Sequence, residues 1–99
     1  MEIYDLLKIL ELTKSCLYKT KIILSSSPSL NNRDLAYLCS YYISLHDLKI
    51  VIDDFLKENE IIENKKIEDV AFLDKAMKYI KLSAHFEAEA SKFISFSIH

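Results

Sequence analysis

The chain contains no glycine, and only one proline, Pro28, stands among its 99 residues. Glycine supplies the positive φ and the close backbone approach that tight hairpins and phosphate-cradling loops require. Its absence removes the dinucleotide fingerprint, the P-loop and the favoured two-residue β-hairpin together. What such a chain can build is helices, joined by connections that need no left-handed residue.

The length fits one domain, near the lower end of what buries a self-sufficient core. Hydrophobic residues make up 51% and charged residues 28% of the chain, a balance that excludes a disordered polymer. The formal net charge is −2 and is spread so evenly that no segment draws nucleic acid electrostatically. The opening MEIYDLLKIL lacks a positive leader region, and no apolar run approaches the roughly 20 residues that span a bilayer. A cytoplasmic protein without membrane contact is expected. Cys16 and Cys39 form no C-x-x-C pair, unlike a zinc module or a secreted disulfide scaffold.

Three helices and two breaks follow from the apolar spacing. Residues 3 to 24 place Leu6, Ile9, Leu10, Cys16, Leu17, Ile23 and Leu24 on one broad face, with Lys8, Glu11 and Lys19 opposite. The run Ser25 to Ser29, interrupted by Pro28, ends this helix, because serines compete for backbone hydrogen bonds and proline disfavours helix in the residue before it. Asn31 is placed to cap the second helix, with Asp34 three residues on and Leu30 set to staple onto Leu35. That helix is predicted to run to about Glu58 with a stripe of Leu35, Leu38, Tyr42, Leu45, Leu48, Ile52, Phe55 and Leu56. Residues 59 to 66 read as the second connection, and Glu68 and Asp69 suit the positive end of a third helix running to about Phe96. In that helix Val70, Leu73, Met77, Ile80, Ala84 and Ile94 form the expected apolar face, against a polar face of Asp74, Lys75, Lys78, Lys81, His85, Glu89 and Lys92. The fold class is therefore all-α: an antiparallel up-down-up bundle of three long helices, forming one domain over residues 1–99 and open to completion by dimerisation.

Four constellations invite chemistry, and each has a plainer reading. Cys16, Cys39 and His85 fall at one height in the bundle, but His85 lies on the polar face between Lys81 and Glu89, and no paired metal-ligand spacing is present. A pair of reduced, mostly buried thiols is favoured over a disulfide. Cys39, His46 and Asp53 share a row at seven-residue intervals, which separates them by some 10 Å along the axis, too far for a nucleophile and its base. Glu87 projects from the apolar side of the third helix, level with Tyr37 and Tyr41 and near Arg33. It is read first as a structural polar contact, then as part of a partner interface, then as a group turned to water by a bend. The lysine row Lys75, Lys78, Lys81 and Lys92 is interrupted by Asp74 and Glu89 and reads as a solvated face.

No catalytic residue, cofactor or metal is assigned, and the chain is read as not an enzyme. Tyrosines that interfaces favour (Tyr37, Tyr41, Tyr42), the small residues around Glu87 (Ala88 and Ser91 among them) and the terminal Phe93 and Phe96 form the candidate partner-binding set. The apolar excess of the C-terminus and of the first helix points to self-association, with a homodimer expected ahead of a monomer docked on another protein. The function expected is that of a small protein-binding bundle: an adaptor, a chaperone-like subunit, or a regulator or inhibitor of another protein. Two alternatives from other classes are a metal-binding or enzymatic bundle using the Cys and His residues, and a nucleic-acid-binding accessory protein.

Overall fold

A computed structural model describes residues 1–26, 29–60 and 63–98, with side chains described through Ala88. Three helices account for most of it: α1 (Ile3–Ser26), α2 (Asn32–Glu58) and α3 (Val70–Ile98). They form the expected all-α bundle, and among the described residues no backbone φ is positive. The helix ends show how a glycine-free chain turns. The Glu2 carbonyl accepts the first α1 bond from the Leu6 amide, and the Glu2 amide donates to the Asp5 carboxylate, which is one half of a capping box. Ser25 and Ser26 donate their hydroxyls to the carbonyls of Lys21 and Ile22, so these serines finish the last turn of α1 instead of ending it two residues earlier. Asn31 caps α2 through the Asp34 amide at 2.8 Å, as its sequence position predicts. Asn59 closes the other end, donating both its amide and its side chain to the Phe55 carbonyl. Asp69 caps α3 by accepting from the Phe72 amide at 3.0 Å.

The sequence gives no sign of a fourth structural part, the antiparallel bridge between Glu2 and Lys66. The Ile3 amide donates to the Lys65 carbonyl and the Ile67 amide to the Met1 carbonyl, while Asn64 holds both the Tyr4 amide and the Glu2 carboxylate. This pairing pulls the α2–α3 connection under the start of α1 and buries Ile67.

Two apolar clusters make the core. One joins Ile3, Leu6 and Leu10 of α1, Leu48, Ile52 and Phe55 of α2, Ile67, and Phe72 and Ala76 of α3. Phe55 and Phe72 stack there, with centroids 4.0 Å apart and planes at 17°. The second joins Ile23 to Leu38, Tyr41 and Leu45, with Cys16, Leu17, Leu24, Leu30 and Phe86 packed at its edge. Buried hydroxyls are satisfied locally: Thr13 and Thr20 donate to the carbonyls of Ile9 and Cys16, and Ser83 of α3 donates to Ser44 of α2 at 3.1 Å.

The expected stripe of α2 is buried at Leu38, Leu45, Leu48, Ile52 and Phe55, and the two expected faces are corrected at other positions. Among the described residues of α3, Phe72, Ala76 and Ser83 are buried, while Val70 is 67% and Met77 42% exposed and Ala84 is open to solvent; the side chain of Ile94 lies outside the described residues. The reason is that α3 lies mainly on α2 and touches α1 less, so the face turned to α2 is buried. Leu73 and Ile80 are half-buried and pack against the first cluster. In α2, Tyr41 and Ser44 are buried, whereas Tyr42 is half-buried and Leu35 exposed. The turn expected near Ile62 and the loop at Pro28 fall outside the described residues.

Candidate protein-binding surfaces

Because α3 leans on α2, two furrows run along the bundle. The first lies between α1 and α3 above α2. Its volume is about 240 Å³, and Ile9, Leu12 and Cys16 of α1, Tyr41 and Leu45 of α2, and Ile80, Ala84 and Glu87 of α3 are among its lining residues. Leu12 stands on its rim, 66% exposed. The second furrow, of about 230 Å³, lies on the other side of α3, between α2 and α3. Ile43 and Asp47 of α2 face Tyr79, Leu82 and Phe86 of α3 across it, with Ser40 and Ser44 also in the lining. Ile43 is 58% exposed, and Ile50, seven residues further along α2, is exposed as well.

The polar chemistry of the α1/α3 furrow gathers on Tyr41. Its ring is buried to 2% exposure, and Cys16 and Glu87 line the furrow with it. Burial above all, then the neighbouring Cys16 side chain and the Glu87 carboxylate, push the Tyr41 phenol well above its ordinary value. A phenol so placed stays neutral and acts as a fixed donor in an apolar wall. Glu87 is exposed at the rim, and among the described residues it takes part in no ion pair; Lys49 with Asp53, on α2, is the pair found.

The remaining sequence candidates fall as follows. Tyr37 is half-buried, its ring 6.4 Å from that of Phe86 and 5.8 Å below the Arg33 guanidinium. Tyr41 belongs to the core, the commoner place for a tyrosine at helical spacing, so it offers no exposed ring to a partner, although it is among the residues lining the α1/α3 furrow. Tyr42 is half-buried, lines neither furrow and stacks on the exposed ring of His46. Ala88 is exposed. The side chains of Ser91, Phe93 and Phe96 lie outside the described residues. Ile43, Leu82 and Leu12 were not singled out in the sequence, although Ile43 and Ile50 repeat at a heptad interval outside the core stripe of α2.

Cys16 and Cys39 are both free and half-buried, and Cys16 lies beside Tyr41. His85 is exposed, edge-on to Phe86 at 5.1 Å. Among the described residues no three His, Cys, Asp or Glu side chains come close enough to hold a metal ion. No described helix is long and apolar enough to cross a membrane. The fold and its surfaces define a small all-α bundle with two open apolar furrows. Comparison with protein-family models, with curated proteins and with solved structures finds no match in any of the three.

Proposed function

We propose that the chain is a protein-binding helical bundle of the cytoplasm, acting as an adaptor, chaperone-like subunit or regulator of another protein, and that the α2/α3 furrow is its contact surface. The observation that carries this reading is the grouping of Ile43, Leu82, Tyr79 and Phe86 around one carboxylate, Asp47. Large apolar side chains left in water over a contiguous patch mark sites of association, and anchors seated in such pockets supply most of the binding energy. Asp47 gives that apolar seat one charged acceptor, which orients what enters. The unbridged cysteines suit a reducing compartment.

The test is a photo-crosslinking residue at position 43, with a second at position 21 on the far side of α1 as control. One protein captured in cell extract at position 43, absent at 21 and lost in the Leu82→Asp variant, is the expected result. Capture that is indifferent to Leu82→Asp would refute the assignment. Ile43 and Leu82 are at the surface, so these changes leave helix content by circular dichroism unaltered.

A further inference from the structure

We infer that the partner in the α2/α3 furrow is an amphipathic helix with two unlike charged edges, lysine or arginine toward α2 and aspartate or glutamate toward α3. This rests on the reading of that furrow as the contact surface, and it names the chemistry of what enters. The register of the two helices sets the length of the site. Ser44 meets Ser83, and at an equal interval along both helices Phe55 stacks on Phe72, so α2 and α3 run antiparallel at constant level. The furrow therefore does not end at Asp47. One turn beyond Asp47 on α2, and one turn before Tyr79 on α3, it continues into a hollow of about 270 Å³ whose lining includes Val51, Asp54, Glu58 and Lys75. From Ser40 to Glu58 the groove so formed is about 27 Å long, the length of five helical turns.

The two walls of this groove carry opposite charges. Asp47, Asp54 and Glu58 stand on α2, whereas Lys75 and Lys78 stand on α3. Lys75 lines the second hollow, and the Lys78 ammonium lies over the Tyr79 ring, 5.6 Å from its centroid. Asp69, at the start of α3, is occupied in capping the Phe72 amide. Among the described residues none of the five wall charges forms an ion pair; the pair found, Lys49 with Asp53, is on the other flank of α2. Asp47 is half-buried, and among the described residues it has neither a cation nor a side-chain hydrogen bond, a state that a cation from outside relieves.

Walls of opposite sign admit only a surface whose own signs change across its width. A helix lying in the groove meets this requirement, because the residues on either side of its apolar stripe face different walls, as the flanks of a coiled-coil seam do. A polyanion is held by Lys75 and Lys78 but repelled by the three carboxylates opposite. The ends of the groove differ as well. Ile43, Leu82 and Phe86 make one end apolar, while Asp54, Glu58 and Lys75 stand at the Phe72 end. The occupant thus brings apolar turns to the Phe86 end and charged edges to the other. A given helix cannot reverse in the groove, since reversal exchanges both its ends and its edges.

The probe is a fluorescein-labelled helical peptide of about 18 residues, built from leucine, alanine and equal numbers of lysine and glutamate. Its first half carries the leucines, its lysines lie along the edge that faces α2, and its glutamates lie along the edge that faces α3. A second peptide with lysine and glutamate exchanged has the same composition and net charge. Fluorescence anisotropy with the whole chain is expected to show the first peptide bound about tenfold more tightly. The variant Asp54→Lys/Lys75→Glu removes that preference, and Leu82→Asp weakens both peptides alike. All three positions are exposed, so unchanged helix content shows that these effects are not unfolding. Equal binding of both peptides, lost in Leu82→Asp, overturns the charge assignment and leaves the furrow as the contact surface. Binding that is indifferent to Leu82→Asp overturns both readings. No binding of either peptide, tighter binding of the second, or a preference that survives in the double variant overturns the charge assignment. A wild-type dimer in light scattering that Leu82→Asp splits puts a second copy in the groove and overturns it too.

Discussion

At the end of the bundle that holds Phe55, all three helices and the α2–α3 connection converge on one core. At the end that holds Tyr41, the buried residues among those described come from α1 and α2, and Phe86 of α3 packs at their edge. The Phe55 end holds the stacked pair of Phe55 and Phe72, whereas the furrow over the Tyr41 end is lined by hydroxyls, a thiol and a carboxylate. A chain of this length has little core to divide, and among the described residues nine of its buried apolar side chains gather at the Phe55 end against four at the Tyr41 end. Phe55→Ala is the sharpest way to break this contrast. Removing one partner of the stacked pair is expected to cost about 3–5 kcal/mol, a large part of the stability of a domain this small, measured by urea denaturation. A loss under about 1 kcal/mol would mean that the Phe55 end does not hold the molecule together.

Ile67→Ala probes the same end through its least local part. Ile67 is buried, yet it belongs to a connection and is fixed by the Met1 carbonyl. We expect a cost of about 2–4 kcal/mol, with the Ile3 and Ile67 amides losing protection from hydrogen exchange together. Protection that survives at Ile3 would show that the bridge stands without its hydrophobic anchor.

The same contrast explains what was legible in the sequence. Helix bounds were readable because their signals are local: the Asn31 cap lies where expected, α2 ends at Glu58, and α1 outruns its expected end only by Ser25 and Ser26. The bridge of Glu2 to Lys66 was not readable, since no periodicity links residues so distant. The buried face of α3 was misplaced because amphipathic spacing shows that a helix has an apolar side but not which neighbour takes it. Val70, Met77 and Ala84 fit the spacing as well as Phe72 and Ala76 do, and contact with α2 selected the latter. The same limit hid the α2/α3 furrow, where Ile43 stands outside the core stripe and gains meaning only beside Leu82. Helix register sets Glu87 level with Tyr37 and Tyr41, and it lines the same furrow as Tyr41, although it is exposed there and not held in a buried polar contact.

Tyr41→Phe sharpens the comparison at the Tyr41 end. It keeps the ring and removes the hydroxyl beside Cys16, so the expected cost near pH 8 is about 1 kcal/mol. The pH dependence separates this from simple packing. The folded phenol titrates far above its unfolded value of 10.0, so the native state holds that proton where the unfolded chain has released it. The stability this contributes is complete below about pH 10 and declines as pH rises further, by up to about 1.4 kcal/mol per pH unit. Wild type should therefore lose more stability than the variant between pH 9 and 11 in paired denaturation curves. Parallel losses would mean that Tyr41 is not desolvated in solution.

The smallest effect is expected at Lys49→Met, on the flank of α2. Lys49 and Asp53 form an i,i+4 pair at 2.7 Å, with about a third of each side chain exposed. A lysine preceding its carboxylate opposes the helix dipole, and water screens what attraction remains, so the pair contributes under about 0.5 kcal/mol. The difference between wild type and variant should vanish in about 1 M salt, where the screening length falls to about 3 Å. A larger or salt-resistant loss would show that charge on α2 helps to fix the bundle, and that the apolar closure at the Phe55 end is not sufficient to set its geometry.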